Sequence, residues 1–105
     1  MTEKRTHKRI PIMMWVEEVR EKATYFQRTG NLSLGGLYLD GTIPHPKGTT
    51  VKLTFTLPNE TEPMTVKGEI VGEPDEERLG MHVRFVDLEP EQLARVRAYI
   101  DQSGH

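Results

Sequence analysis

The sequence predicts a mainly β fold: a small six-stranded antiparallel barrel or closed sandwich, followed by one C-terminal α-helix. Three observations carry that prediction. Apolar and polar residues alternate through several short runs. Gly and Pro punctuate the gaps between those runs, and the period lengthens toward that of a helix only after Pro90. At 105 residues the chain makes one domain, spanning 1–105. It divides into a flexible basic arm over 1–10, a barrel over 11–86 and a helix over 90–102.

The first two strands fall at Ile12–Val19 and Ala23–Arg28, both rich in β-branched and aromatic residues. In the first of them, Met13, Met14 and Trp15 blur the alternation. Leu37–Leu39 is a short strand after Gly35-Gly36, and Gly41 to Gly48, with Pro44 and Pro46, is a loop. The clearest strand is Val51–Leu57, with Val51, Leu53, Phe55 and Leu57 on one face. Met64–Ile70 repeats the pattern, and the turn residues 58–63 between the two make an antiparallel hairpin. In Leu79–Phe85 the residues Leu79, Met81, Val83 and Phe85 face inward, with Gly80, His82 and Arg84 outward. Closing these six strands into a barrel removes edges that would invite aggregation.

Helical spacing then takes over. Leu93, Val96 and Ile100 form one stripe, Pro90 suits the first helical position, and Glu91 lies at the positive end of the helix dipole. Arg95 and Arg97 fall off the stripe and are expected in water. A helix this short does not persist alone, so it either docks on the barrel or pairs with a second subunit in a homodimer.

Composition excludes several function classes. Without cysteine there is no disulfide, no thiol nucleophile and no Cys-ligated metal. No apolar run is long enough to span a bilayer or to form a secretory signal, so the expected setting is cytoplasmic, with no membrane insertion. Fourteen basic against sixteen acidic residues give a net charge of −2, which argues against a DNA or RNA binder. The basic residues nevertheless gather at one end. Lys4, Arg5, Lys8 and Arg9, with His7 among them, stand with no acid between them. Such an arm on a mildly acidic body favours a small anion over a long polyanion.

Two motifs carry chemistry. Arg5-Thr6-His7-Lys8-Arg9 is an R-x-x-x-R, whose spacing puts both guanidinium groups on one side of a helical or an extended segment. Paired planar forks suit bidentate grips on phosphate or on the O6/N7 edge of guanine. Pro11 biases Ile10 toward an extended conformation, which runs the arm straight into the first strand. The second motif is Asn31-Leu32-Ser33-Leu34-Gly35-Gly36, an N-x-S-x-x-G. Asn31 and Ser33 share a face at a strand end, and Gly36 lets backbone approach a ligand or take φ > 0. Each motif alone also fits a plainer reading, as a solvated terminus and as a local turn.

In this order, on the entry to a small barrel, the two motifs resemble the PilZ domain family, whose members bind the bacterial second messenger cyclic di-GMP. The segments NLSLGGLYL, GTTVKLTFTLP and LGMHVRFVDLEPEQLARVRAYI look like that family's strands and C-terminal helix. The likeness runs from Lys4 to Ile100 and leaves no room for a fused effector domain. It implies a PilZ-type six-stranded barrel in which Arg5 and Arg9 clamp phosphates and guanine edges, while Asn31, Ser33 and Gly36 line the surface beneath the ligand. Lys4 and Gly35 are further candidates. A basic residue before the first arginine, here Lys4, tends in the family to accompany an intercalated ligand pair, so one or two molecules per chain are implied, with a leaning to two. Where family members often carry a Trp near Ile70-Val71, this chain has Gly72, which removes a stacking surface.

The resemblance thus implies a bacterial receptor with no enzymatic activity and no cofactor beyond its ligand. It would act on an unidentified effector protein in motility, adhesion or exopolysaccharide output. The alternative is a PilZ-like scaffold that binds only protein. An enzyme acting on nucleotides lacks its acid/base or metal constellation. His7, His45, His82 and His105 have no metal-ligand spacing, and the adjacent pairs Glu17-Glu18 and Glu76-Glu77 are expected as solvated charge.

Overall fold

The computed structural model describes residues 9–42, 45–71 and 79–103. Its strands are β1 (Ile10–Pro11), β2 (Trp15–Arg20), β3 (Ala23–Leu32), β4 (Gly36–Asp40), β5 (Thr50–Phe55), β6 (Met64–Val71) and β7 (Gly80–Val86), followed by α1 (Pro90–Ser103). All pair antiparallel. The order β3-β2-β5-β6-β7-β4 closes on itself through a β3–β4 ladder, giving a six-stranded barrel with β1 added beside β3.

Six of the seven strands, and the helix, were legible from period and punctuation. The seventh comes from a break in the expected first strand. Ile10 lies within strand β1, not in the arm, and residues 12–14 leave regular pairing before β2 begins. Alternation itself is unbroken, because Ile10, Ile12, Met14, Val16 and Glu18 are all buried. Thr29, buried on β3, secures the break. Its Oγ1 donates to the Ile12 carbonyl at 3.0 Å and accepts from the Met14 amide at 3.0 Å. Met13 and Trp15 point outward and are exposed, and these two side chains hide the pattern in the sequence.

Two strand ends also shift. Leu79 is 59% exposed, so β7 starts one residue later than expected, at Gly80. Strand β3 runs on through Thr29, Gly30 and Asn31 to Leu32, where pattern alone stopped it at Arg28.

The core is the inward set from every strand, among them Leu32, Leu39, Leu53, Val66, Ile70 and Val83, and Leu57 in the turn after β5. Val96 and Ile100 of α1 join it, so the helix docks on its own barrel. Entry into α1 is capped: Leu93 N–H donates to the Glu89 carbonyl at 2.9 Å, and Gln92 Oε1 accepts from the Glu89 amide at 3.0 Å. Gln92 Nε2 then donates to the Thr65 carbonyl at 2.8 Å, tying the first helical turn to β6. Arg95 departs from expectation. It is half-buried against the turn after β5, where Nε donates to Glu60 Oε1 at 2.9 Å and Nη2 to the Glu62 carbonyl at 2.8 Å. The Glu60 carboxylate holds this guanidinium above its ordinary pKa.

Glu18 is the other correction. It is fully buried, not solvated, and Gln27 Nε2 donates to its Oε1 at 2.9 Å. His45 Nε2 lies 2.8 Å from its Oε2. That approach is not aligned as a hydrogen bond, so the attraction is Coulombic when the imidazole is charged.

Candidate functional site

Local backbone geometry decides where the second motif points. Across the β3–β4 ladder Thr29 pairs with Leu39 and Asn31 with Tyr38, so Gly30 is an extra residue and forms a β-bulge. The bulge changes the parity of the strand. Gln27 and Thr29 face the core before it, and Leu32 faces the core after it. Without that extra residue Asn31 would turn inward. With it, Asn31 lies half-buried on the outer surface, and no side-chain partner holds its amide among the described residues.

Ser33 and Gly36 serve the turn itself. Ser33 N–H donates to the Gly36 carbonyl at 2.8 Å, and Ser33 Oγ accepts from the Gly35 amide at 3.2 Å. The Gly35 carbonyl accepts from Phe85 N–H at 2.9 Å, which fastens the turn to β7. Gly36 is buried, and a Cβ there would stand 2.0 Å from the Val83 carbonyl oxygen. Its φ is not positive. Glycine is needed here for strand packing, and the positive φ expected of a turn glycine is not found.

Of the arm, Arg9 is described and exposed. Ile10 pairs with Leu32 and Pro11 with Asn31, so Arg9, the residue before β1, lies near the end of β3 where Ser33 follows Leu32. The structure therefore gathers Arg9, Asn31, Ser33, Gly35 and Gly36 at one end of β3. Lys4, Arg5 and Gly72 lie outside the described residues. A shallow depression lined by Pro11, Met13, Arg28, Gly30 and Asp40 adjoins Asn31.

Sequence reasoning passed over the rest of this face. Asn31, Tyr38, His82 and Val71 form a single cross-strand row over β3, β4, β7 and β6. In the next row Gly36 pairs with Arg84, whose guanidinium is ion-paired to Glu69. The signal was present as strand parity, since Tyr38 and His82 both fall on outward positions. Among the described residues no cluster of His, Asp or Glu has the makings of a metal site, and no helix is long and apolar enough to cross a membrane.

The chain is a closed barrel with a helix docked on it and a polar, cation-flanked motif on its outer wall. The chain belongs to the PilZ domain family, whose model matches residues 3–102. No curated protein sequence matches it significantly. Its fold is similar to the inhibitor of motility MotI/DgrA of Bacillus subtilis (TM-score 0.78, 15% identity, 96% of this chain and 51% of that one). It is also similar to the PilZ domain of YcgR from Escherichia coli, solved with c-di-GMP (TM-score 0.74, 14% identity, 97% and 92%). A third likeness is the PilZ domain of CeSA from a cellulose-synthesizing bacterium (TM-score 0.70, 19% identity, 93% and 99%). The chain spans about half the length of the Bacillus protein.

Proposed function

We propose that this chain is a bacterial, cytoplasmic receptor for cyclic di-GMP that works by binding rather than catalysis. The observation that carries the reading is the Gly30 bulge, which turns Asn31 outward on the face that Arg9 enters, within a PilZ barrel. Cyclic di-GMP is a dianion with two purine faces, and a paired-arginine arm meets its phosphates and guanine edges. Each charge-assisted hydrogen bond contributes about 1.5–3 kcal/mol. Several of them, less the cost of ordering the arm, give an affinity of roughly 1 μM. Lys4 favours two ligands per chain over one. Closure of the basic arm ahead of β1 over the ligand reshapes a surface that a separate effector protein reads, with motility, adhesion or exopolysaccharide synthesis as the output.

Isothermal titration with cyclic di-GMP tests this reading. Arg9→Ala weakens binding by about tenfold or more, equivalent to about 1.4 kcal/mol. Equal binding by wild type and variant refutes the arginine assignment, and absence of heat with the wild type refutes the receptor. The scaffold alternative draws on one observation. Met13, Trp15 and Phe26 are strongly exposed on the β2–β3 side of the barrel, an apolar group suited to protein contact. The N-x-S-x-x-G motif, complete and with Asn31 turned outward, favours the receptor.

A further inference from the structure

Ser33 and Gly36 spend their hydrogen-bonding and steric capacity on the turn and on the β4–β7 contact, leaving Asn31 as the outward polar group of that motif. A nucleotide seated there presents a broad purine face as well as polar edges, and an apolar, polarisable surface has to meet it. The cross-strand row beside Asn31 supplies one. Tyr38 pairs directly with Asn31 and His82 directly with Tyr38, and the two ring centroids are 4.7 Å apart.

The backbone beneath is cleared for that ring. A Cβ on Gly30 would approach Tyr38 Cδ2 to 3.1 Å, and one on Gly80 would meet the Tyr38 hydroxyl at 1.9 Å. Tyr38 thus lies across the sheet from β3 to β7, over two positions without side chains. His82 beside it is exposed. The rings are inclined by 51°, so a purine stacked on one of them lies tilted to the other.

We infer that Tyr38 and His82 form the platform on which a guanine of the bound cyclic dinucleotide stacks. The inference rests on the receptor reading and adds to it the pair of side chains that holds the base. Stacking of a base on an aromatic side chain is tolerant of base identity, so the platform supplies affinity, and guanine selection falls to the polar edge contacts.

Titration of cyclic di-GMP into wild type, His82→Ala and His82→Phe tests it, together with NMR of the His82 ring protons in the wild type. His82 is exposed, so its variants keep the fold. His82→Ala is expected to weaken binding by about fivefold or more, while His82→Phe, which keeps a ring, stays within about threefold of wild type. Addition of ligand shifts the His82 ring protons upfield. If Tyr38 merely covers Gly30 and Gly80, His82→Ala binds as the wild type does and the ring protons do not shift. That result overturns the platform and leaves the receptor reading standing. A wild type that gives no heat overturns both.

Discussion

Gly36 lies against Val83 so closely that a Cβ on Gly36 would stand 2.0 Å from the Val83 carbonyl oxygen and 3.1 Å from Arg84 Cα. Both obstacles are backbone of β7, which is paired to β6 on its other side and cannot withdraw. Gly36→Ala therefore forces β4 from β7 at the step where Gly36 pairs with Arg84. The expected cost is about 2 kcal/mol or more in the absence of any ligand, measured by urea unfolding. A variant as stable as wild type but unable to bind cyclic di-GMP would return Gly36 to the role the sequence first suggests, a gap beside the ligand.

A second prediction concerns Glu18. It is enclosed with Gln27 and His45, and a buried carboxylate of this kind is costly to remove because its partners stay behind. Glu18→Ala is expected to destabilise the barrel by about 3 kcal/mol, and Glu18→Gln, which keeps the volume and an acceptor for Gln27, by less. Glu18 pairs with Tyr25 near the start of β3, whereas Asn31 sits near its end. Variants that stay folded should thus bind cyclic di-GMP as wild type does, by the same titration. Weakened binding by a folded Glu18→Gln would show that the two ends of β3 are coupled.

The elements easiest to see in the sequence were those whose outward positions are all polar. In β5 the residues Lys52 and Thr54 alternate with Val51, Leu53 and Phe55, and periodicity is enough. In β2 the same rule holds in space but not in letters, because Trp15 is 68% exposed and Glu18 is fully buried. Both inversions depend on partners distant in sequence, such as His45 for Glu18. The motif residues were legible as a group, and the pairing of β1 with β3 brings Arg9 near them. Their individual roles were not, since a bulge at Gly30 and a collision with Val83 arise only when strands pair. Tyr38 and His82 escaped notice for the same reason: they are far apart in the chain, and only the β4–β7 ladder makes them neighbours.

Arg95 and Arg97 give the sharpest contrast between helical periodicity and tertiary contact. Both lie off the apolar stripe of α1, and periodicity treats them alike. In the fold Arg97 is exposed, while Arg95 and Glu60 retain only 21% and 24% side-chain exposure in their ion pair. Two guanidinium nitrogens reach Glu60 and one of them also the Glu62 carbonyl, a fork that the single ammonium of lysine does not reproduce. Partial burial places the pair above a surface salt bridge in strength and below a fully enclosed one. Arg95→Ala should therefore cost about 1.5 kcal/mol and Arg95→Lys recover little of it, whereas Arg97→Ala stays within about 0.5 kcal/mol of wild type. A double-mutant cycle with Glu60→Gln, read by urea unfolding, is expected to give a coupling of about 1 kcal/mol. Equal costs for Arg95→Ala and Arg97→Ala would mean that the Arg95–Glu60 fork adds nothing to the docking of the helix.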